Sequence, residues 1–476
     1  QRLTQHFYKN NRTGDLMNRI SEDVSKVRMY VGPALMYSIN TVALFVIVIS
    51  YMISIAPILT LYTVLPLPIL SITIYKLSRI INQKSALVQE MLSKMSSFAQ
   101  ESFSGIAVIK SYNLQGLSTS DFTDLASETY DKNIDLVKVQ AWFFPLMILL
   151  IGCSNLIVIF VGGNQYINGQ LEIGVLAEFI IYVNMLTWPV AVVGWITSIV
   201  QQAEASQKRI NAFLEEQPEI ISGKGVFTGI HGTIEFKNVS LQYPETGIKA
   251  LDQVNLTIPA GSTLGIIGNI GSGKSTLLDT LVRLYDPSEG SILIDGHDLK
   301  TFQLEELRSA VGYVPQNAFL FSEQIEENIR FGNPEASQEA IREAAQKSAV
   351  HDNITQFKEG YKTLLGERGV TLSGGQIQRV SLARVLIKDP QILLLDDCLS
   401  AVDTDTEEEI LKHLKSVSKN KTTLIVSHRI SSLKHADQII VFENGKIVQQ
   451  GKHADLIEVG GYYKELFEIQ QANSSK

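Results

Sequence analysis

The sequence predicts an all-α transmembrane helical domain followed by an α/β domain of the P-loop type with a helical subdomain. Three observations lead to this fold class. Long uncharged stretches are confined to the first half of the chain, the second half is charge-rich with short apolar runs between turns, and a glycine-rich loop separates one such run from an apolar helix. We place the membrane domain at 1–215, a linker at 216–231 and the α/β domain at 232–476.

The membrane domain is predicted from three stretches that contain no Asp, Glu, Lys or Arg. They run from Met29 to Tyr75, from Val139 to Leu171 and from Phe179 to Ala203. A spanning helix needs about 20 mostly apolar residues, so the first stretch holds two helices. The break is expected near Ser54–Pro57, where a proline follows small residues. The four spans are therefore expected at about 33–54, 56–76, 141–162 and 175–199.

The orientation follows from the distribution of Lys and Arg. The short loops at Ser54–Pro57 and Gly162–Leu171 carry none, whereas the N-terminal segment and the long connection between the second and third spans carry many. Basic loops face the cytoplasm. We therefore expect a multi-pass protein of the cell (inner) membrane with its α/β domain in the cytoplasm. Within the long connection, Ser85–Gln100 and Thr123–Val139 have helical spacing and should extend the spans beyond the bilayer.

Few polar groups lie inside the spans, and no charged residue lies near the middle of one. Ion coupling through this region is therefore disfavoured. The amides of Asn40, Asn155 and Asn184 either bond across helices or line a substrate path. The net charge of −8, with no basic stripe, argues against nucleic acid as a partner. The two cysteines, Cys153 and Cys398, have no spacing typical of a metal site.

The glycine-rich loop follows the predicted strand Gly265–Ile267 and precedes the apolar helix Leu277–Leu284. A chance glycine turn would not be followed by Lys, Ser and a helix in this order, so the loop is predicted to bind ATP. Its glycines let backbone N–H groups point at a phosphate, Lys274 supplies a charge, and the Ser275 hydroxyl is a ligand for Mg²⁺. The predicted nucleotide-binding residues here are Gly268, Asn269, Ile270, Gly271, Ser272, Gly273, Lys274, Ser275 and Thr276.

A pair of acidic residues follows the apolar run Gln391–Leu395, which is predicted to be a buried strand. A carboxylate at the end of a parallel strand beside a phosphate-binding loop can hold Mg²⁺, and Asp396 has this position. The following Asp397 can orient the attacking water and is the predicted catalytic residue. Alone, two aspartates could merely cap the strand; after a phosphate-binding loop, the catalytic interpretation is favoured.

A second anion site is predicted at the start of the helix Ile377–Ile387. Two phosphate cradles in one domain do not easily serve one nucleotide. We therefore expect the second cradle to close over the ATP of a partner domain. Its residues are Ser373, Gly374, Gly375 and Gln376.

The order of these motifs resembles the ATPase domain of ABC transporters over nearly all of Gly232–Gln470, and the membrane half resembles the exporter branch of that family. The motifs of the ATPase half are the phosphate-binding loop, Val314–Gln316, Leu372–Gln376, Asp396–Asp397, Ser400–Asp403 and Ser427–Arg429. Three features resemble exporters. Phe7, Thr13–Leu16, Arg19 and Asp23 match a first intracellular loop, and Glu101–Tyr112 matches a coupling segment. The second cradle corresponds to the family's signature, and Gly366–Gly369 precedes it as in exporters.

The resemblance implies roles for individual residues. Tyr243 would stack on adenine, although it could be an ordinary strand aromatic. Gln316 would contact Mg²⁺ and respond to the membrane loops, His428 would hold the γ-phosphate and the attacking water, and Asp403 would bridge to the partner. The resemblance also implies six spans, so we expect two more before Gln1, which is not a methionine.

One residue departs from the family pattern. The family's hydrolytic base is usually glutamate, and Asp397 is shorter by one C–C bond, roughly 1.5 Å. Misplacing a catalytic group by about 1 Å can lower the rate on the order of 100-fold. Because the signature is intact, we predict a heterodimer in which the Asp397 site turns over slowly and this chain's signature completes the partner's site. The rival is a homodimer with two slowed sites.

The predicted spans and ATPase domain are compatible with more than one class of function. ATP-driven export as one half of a dimeric transporter leads, with an ATP-gated regulatory or channel subunit as the second class. The spans argue against a soluble chromosome-associated ATPase, and importers usually carry their ATPase on a separate chain. The uncharged walls suit a lipid, a drug or another amphipathic small molecule, and they do not identify it.

Overall fold

The computed structural model describes residues 2–225, 229–366 and 372–474. The described chain forms two compact units. One is Thr13–Glu216, which is all-α. The other consists of the segment before Thr13 and everything from Gln217 on, and it is α/β. The predicted fold class is confirmed.

The all-α unit consists mainly of four long rods. Among the described residues, these are the helical segments long and apolar enough to cross a membrane: Thr13–Ile55, Pro57–Ser104, Gln115–Ile167 and Ile173–Leu214. After α1 (Gln5–Asn10), which belongs to the other unit, their helices are α2 (Thr13–Asn18), α3 (Val24–Met29), α4 (Leu35–Ile55), α5 (Pro57–Val64), α6 (Pro66–Ser104), α7 (Ile106–Ser111), α8 (Gln115–Ala141), α9 (Phe143–Ile157), α10 (Gly163–Ile167) and α11 (Ile173–Leu214). The π-helical turns Arg19–Asp23, Tyr30–Ala34 and Val158–Gly162 join some of them into continuous rods.

The expected break between the first two spans lies at Ala56, whose φ of −147° and ψ of 85° are not helical. Pro57 then occupies the first turn of α5, where its missing N–H leaves no hydrogen bond unmade. The expected extensions are also present, because α6 continues to Ser104 and α8 begins at Gln115.

The third rod continues to Ile167, beyond the expected end at 162, although glycines were expected to separate it from the fourth. The reason is packing. A Cβ at Gly162 would lie 3.3 Å from side-chain atoms of both Leu59 and Leu176, so this glycine permits close helix contact. The chain turns instead at Asn168–Glu172.

The rods pack on an apolar core, and hydrogen bonds of the amides inside the spans are not its main stabilising contacts. The Asn184 amide donates to the carbonyl of Ile180 in its own helix, at 2.8 Å. Asn155 Oδ1 is buried and has no hydrogen-bond partner among the described residues. Bonding across helices is therefore not seen for either of these atoms. The most deeply buried core residues are Met52, Leu59, Leu70, Val158, Phe179 and Leu186.

A buried polar cluster joins the first rod to the end of α11. Asp23 is 4 % exposed and forms an ion pair with Arg209, whose Nε donates to Asp23 Oδ2 at 2.9 Å. Ser206 Oγ donates to the other carboxylate oxygen at 2.8 Å. A buried carboxylate needs such partners, so the two segments are held together at this point.

The α/β unit contains two sheets. The first is four-stranded with strand order β2-β1-β4-β5; the second is six-stranded with order β10-β9-β3-β8-β7-β6, and it is parallel except for the edge strand β10. The strands are β1 (Ile234–Gln242), β2 (Lys249–Ile258), β3 (Thr263–Gly268), β4 (Glu289–Ile294), β5 (His297–Asp298), β6 (Val311–Val314), β7 (Ile392–Asp396), β8 (Thr422–Val426), β9 (Gln438–Glu443) and β10 (Lys446–Gly451).

Helices flank these sheets, and four of them form the expected helical subdomain around a separate core, in which Ile329, Ile341 and Val380 are fully buried. Those four are α14 (Ile325–Arg330), α15 (Gln338–Lys347), α16 (His351–Gln356) and α17 (Gly374–Leu386), preceded in the chain by α12 (Lys274–Leu281) and α13 (Leu304–Ala310) and followed by α18 (Thr404–Val417), α19 (His453–Val459) and α20 (Tyr462–Ser474).

Candidate functional site

The carboxyl ends of neighbouring parallel strands bring the predicted site residues together. Strand β8 lies between β3 and β7, so the loops that follow these strands meet at one edge of the sheet. They enclose a cavity of about 300 Å³. Its lining residues are Tyr243, Ile248, Ala250, Ile270, Gly271, Ser272, Gly273, Lys274, Ser275, Thr276, Gln316, Asp396, Asp397, Val426 and His428.

The glycine-rich loop closes tightly around its lysine. Gly273 has a φ of 106°, and a Cβ there would lie 2.2 Å from the carbonyl oxygen of Ala250, so only glycine fits. Lys274 Nζ donates to the carbonyls of Gly268 and Asn269 at 2.9 and 2.7 Å. Burial lowers the pKa of Lys274, while Asp396 and Asp397 act in the opposite direction. The ammonium is thus held within the loop, beside two carboxylates.

The residues predicted to hold Mg²⁺ lie next to one another. Asp396 is 2 % exposed, and the Ser275 hydroxyl and the backbone N–H of Gln316 favour the ionised form of its carboxylate. Burial raises the pKa of Asp396 despite these two groups. The described residues contain no group of three or more His, Cys, Asp or Glu that could hold a metal. Oxygen donors with a single carboxylate fit Mg²⁺, because that ion usually completes its shell with substrate phosphates and water.

Asp397 has a constrained backbone. Its φ of 45° is left-handed, which is uncommon for a residue with a side chain. Its N–H donates to the carbonyl of Val426 at 2.9 Å, and its own carbonyl accepts from Ser400 Oγ at 2.9 Å. The next residue, Cys398, is fully buried, which raises its pKa to about 12. Because the main chain of Asp397 is held on both sides, the reach of its carboxylate depends on side-chain length.

Tyr243 lies just beyond the end of β1, where it lines the cavity and also packs against the hydrophobic core. Its hydroxyl is 2.9 Å from Thr276 Oγ1, and its ring meets that of Tyr285 edge-to-face with centroids 5.0 Å apart. The ammonium of Lys9 lies 5.2 Å from the Tyr243 ring centroid and 5.1 Å from that of Tyr285. The ring is thus fixed at the cavity wall, and stacking on adenine stays a prediction.

The signature does not line this cavity. Ser373 is the N-cap of α17: its Oγ accepts from the N–H of Gln376 at 3.3 Å, and Gln376 Oε1 accepts from the N–H of Ser373 at 2.9 Å. A Cβ at Gly375 would lie 2.6 Å from the carbonyl oxygen of Ala401, so the signature packs against the loop that follows Asp397. Gly374 begins the helix. Its use by a partner chain stays a prediction.

Two further expectations concern Asp403 and the motif Gly366–Gly369. Asp403 caps α18, because its Oδ1 accepts from the N–H of Thr406 at 3.0 Å, and this bond lowers its pKa. Its proposed bridge to a partner remains a prediction. Of the motif Gly366–Gly369, the residues Glu367, Arg368 and Gly369 lie outside the described residues.

Sequence reasoning missed several residues around the site. Ile248, Ala250 and Val426 form part of the cavity wall, and their apolar side chains carry no chemical signal that could have identified them. Asp279 did carry such a signal, because it is the single carboxylate in α12. It accepts a hydrogen bond from the Tyr313 hydroxyl at 3.0 Å, and burial raises its pKa to about 6.

Comparison with known proteins is informative for both units. Residues 251–400 match the family described as "ABC transporter", and residues 1–190 match "ABC transporter transmembrane region". The chain is 38 % identical over 472 residues to an uncharacterized ABC transporter ATP-binding protein, YknU, of Bacillus subtilis, which covers 99 % of the chain and 81 % of the relative.

Two other matches are similar in extent. The multidrug resistance-like ATP-binding protein MdlA of Escherichia coli is 36 % identical over 470 residues, covering 98 % of the chain and 80 % of the relative. Among solved structures, a bacterial Atm1-family ABC exporter with ATP bound superposes with a TM-score of 0.85 at 27 % identity, covering 98 % of the chain and 83 % of that protein.

Proposed function

Since the chain belongs to the ABC transporter family, with a transmembrane region fused to its ATPase domain, we propose that it acts as one half of a dimeric exporter. The family resemblance, the nucleotide-binding ATPase and the multi-pass membrane protein with a cytoplasmic ATPase, all predicted from the sequence, are confirmed. ATP-driven export is supported by relatives whose names describe them as multidrug export ATP-binding/permease proteins.

The finer proposal is a heterodimer. The observation that carries it is that the chain has Asp397 in its own cavity together with an intact signature. The backbone of Asp397 is held by Val426 and Ser400, so it cannot advance to offset the shorter side chain. The signature Ser373–Gln376 has a complete capping box and lies away from this cavity. A chain with one weakened and one intact half-site suits pairing with a different chain.

In this mechanism the glycine-rich loop and Lys274 bind the phosphates of ATP, and Tyr243 stacks on the adenine. Ser275, Gln316 and Asp396 would hold Mg²⁺, which would neutralise phosphate charge when bound. Asp397 orients the attacking water, and hydrolysis is slow because the side chain of Asp397 is short. His428 holds the γ-phosphate. The signature of this chain closes over the nucleotide of the partner. Closure of the two ATPase domains then moves the long helices and opens the membrane path outward.

ATP turnover of the chain alone, reconstituted in vesicles, tests the pairing. We expect slow hydrolysis that the cargo does not stimulate, and a large increase when the partner is added. Lys274→Ala, which removes the phosphate-binding charge, is the control for hydrolysis by this chain. Brisk hydrolysis by the chain alone, stimulated by drugs or lipids and abolished by Lys274→Ala, would establish the homodimer instead.

A second candidate function is an ATP-gated regulatory or channel subunit, and it is favoured by the same aspartate. A gate needs ATP binding and slow release more than rapid hydrolysis. Uptake of labelled amphipathic drugs or lipids into sealed inverted vesicles distinguishes the two. Accumulation against a gradient supports export, whereas ATP-dependent conductance without accumulation supports the gate.

A further inference from the structure

The last helix of the chain makes direct hydrogen bonds to the loop that carries His428. Gln470 Nε2 donates to the carbonyl oxygen of His428 at 2.7 Å, and Gln470 Oε1 accepts from the N–H of Ile430 at 2.9 Å. One carboxamide therefore holds the main chain on both sides of Arg429. Both distances are those of well-formed hydrogen bonds.

The position of Gln470 is set by the face of α20 that packs on the domain. Tyr463, Leu466, Phe467 and Gln470 are spaced by three and four residues and so lie on one helix face. Tyr463 is fully buried in a core that includes Ile430, and Leu466 and Phe467 pack against the same core. Gln470 is the polar end of this apolar face.

The beginning of α20 is anchored separately. The Tyr463 hydroxyl lies 2.7 Å from His453 Nδ1, and the Tyr463 N–H donates to Gln449 Oε1 at 3.3 Å. Gln449 Nε2 donates in turn to the carbonyl of Gly460 at 2.7 Å. The helix therefore has its own attachments to α19 and β10, and Gln470 is not needed to keep it in place.

The other side of the loop is held by a buried carboxylate. Glu407 is 2 % exposed, forms an ion pair with Arg429 and accepts a hydrogen bond from Ser432 Oγ. Ser427 Oγ accepts from the N–H of Arg429 at 3.0 Å. These bonds fix Arg429, while the bonds of Gln470 fix the peptide groups that flank it.

We propose that Gln470 is a positioning residue for His428 in the ATP cycle, an inference that rests on the proposed contact between His428 and the γ-phosphate. The peptide between His428 and Arg429 sets the direction of the imidazole, which lines the nucleotide cavity. The carboxamide stops that peptide from rotating. The C-terminal helix thus contributes to γ-phosphate recognition without contacting the nucleotide.

A chain-specific binding assay tests this in the full protein assembled with its partner in nanodiscs. Photolabelling of this chain by 8-azido-ATP is competed with ATP or with ADP. Gln470→Met keeps the length and apolar packing of the side chain but loses both hydrogen bonds. Because only ATP has a γ-phosphate, we expect ATP to compete about 5-fold less well and ADP to compete as before.

Two controls separate positioning from a structural role. Glu468→Ala alters an exposed residue of the same helix and should change competition by neither ATP nor ADP. In a His428→Ala background, Gln470→Met should cause no further loss of ATP preference, because the contact it supports is already absent. An equal loss for ATP and ADP, no loss for either, or an additive loss in the double variant would overturn the proposal.

If Gln470→Met does not assemble, Gln470→Glu takes its place, since it keeps an acceptor for Ile430 but cannot donate to His428 when ionised. The same prediction and the same overturning results apply to it. Failure of the proposed function itself has a different signature. The wild type would then show no ATP preference, and Lys274→Ala would leave photolabelling unchanged.

Discussion

At the residue scale, Asp397 is the position where side-chain length has the largest consequence. Its main chain is held by Val426 and Ser400, and its φ of 45° leaves little freedom. The main chain therefore does not compensate for the missing C–C bond of Asp397 relative to glutamate. In the proposed heterodimer, the slower hydrolysis expected from Asp397 would also suit this chain's site to retaining ATP.

Asp397→Glu should increase ATP hydrolysis at this chain's own site about 100-fold, because the longer side chain restores the reach to the attacking water. The measurement is phosphate release in the assembled transporter, compared with Asp405→Glu, which makes the same change at an exposed position of α18. If both variants hydrolyse ATP like the wild type, the length of the side chain does not limit this site.

Asp279 should make the ATPase unit less stable as the pH rises. Burial raises its pKa from 3.8 to about 6 in the folded state, so the folded state binds the proton more tightly than the unfolded state. Its contribution to stability is complete below the unfolded pKa and is lost as the pH rises through the folded pKa. Relative to Asp279→Asn, the wild type should lose at most about 2 kcal/mol between about pH 4.5 and about pH 7.5.

The buried thiol of Cys398 offers the measurement, since it becomes reactive only when this unit unfolds. Midpoints of unfolding in urea are read from labelling of Cys398 by dithiodipyridine, which also reacts at acid pH. The measurement uses a Cys153→Ser background. A constant difference between wild type and Asp279→Asn at both pH values would mean that Asp279 does not titrate in this range.

At the scale of single elements, the start of α17 combines a structural and a functional role. Ser373 and Gln376 cap the helix reciprocally, which leaves the remaining N–H groups of the first turn available for an anion. These N–H groups lie outside the chain's own cavity. They are the element-level basis for the shared site proposed above.

Ser373→Ala should lower hydrolysis at the partner's site and leave ATP binding to this chain's own loop unchanged. The lost cap also destabilises α17 by about 1 kcal/mol. Ser337→Ala is the matched control, because Ser337 caps α15 in the same way, with its Oγ accepting from the N–H of Ala340 at 3.2 Å. If the two variants lower turnover equally, helix stability alone explains the effect.

Element boundaries show how far local patterns extend. The break at Ala56, directly before Pro57, and the extension of α6 were predictable, because proline and helical periodicity act locally. The continuation of the third rod past Gly162 was not predictable. It depends on Leu59 and Leu176, which approach that glycine from other rods, and a glycine pattern does not tell close packing from a turn.

At the scale of the whole molecule, the distribution of Lys and Arg predicts that the basic loops face the cytoplasm, as the ATPase domain does. In a Cys153→Ser background, a membrane-impermeant maleimide should label Gln170→Cys in intact cells, because Gln170 lies between the third and fourth rods. Gln115→Cys, at the start of α8, should be labelled only after permeabilisation. Labelling of both in intact cells would contradict this topology.

The sequence by itself determined the two-domain fold class, the number of spans described here, the orientation, the family and the motifs that form the nucleotide cavity. These depend on hydropathy, charge and short ordered patterns, all of which are local in the chain. Only the tertiary structure decided that Ile248 and Val426 wall the cavity, that Asp279 is paired with Tyr313, and that Gln470 holds the loop of His428. Such pairs are far apart in sequence, and they meet because strand order and helix packing place them side by side.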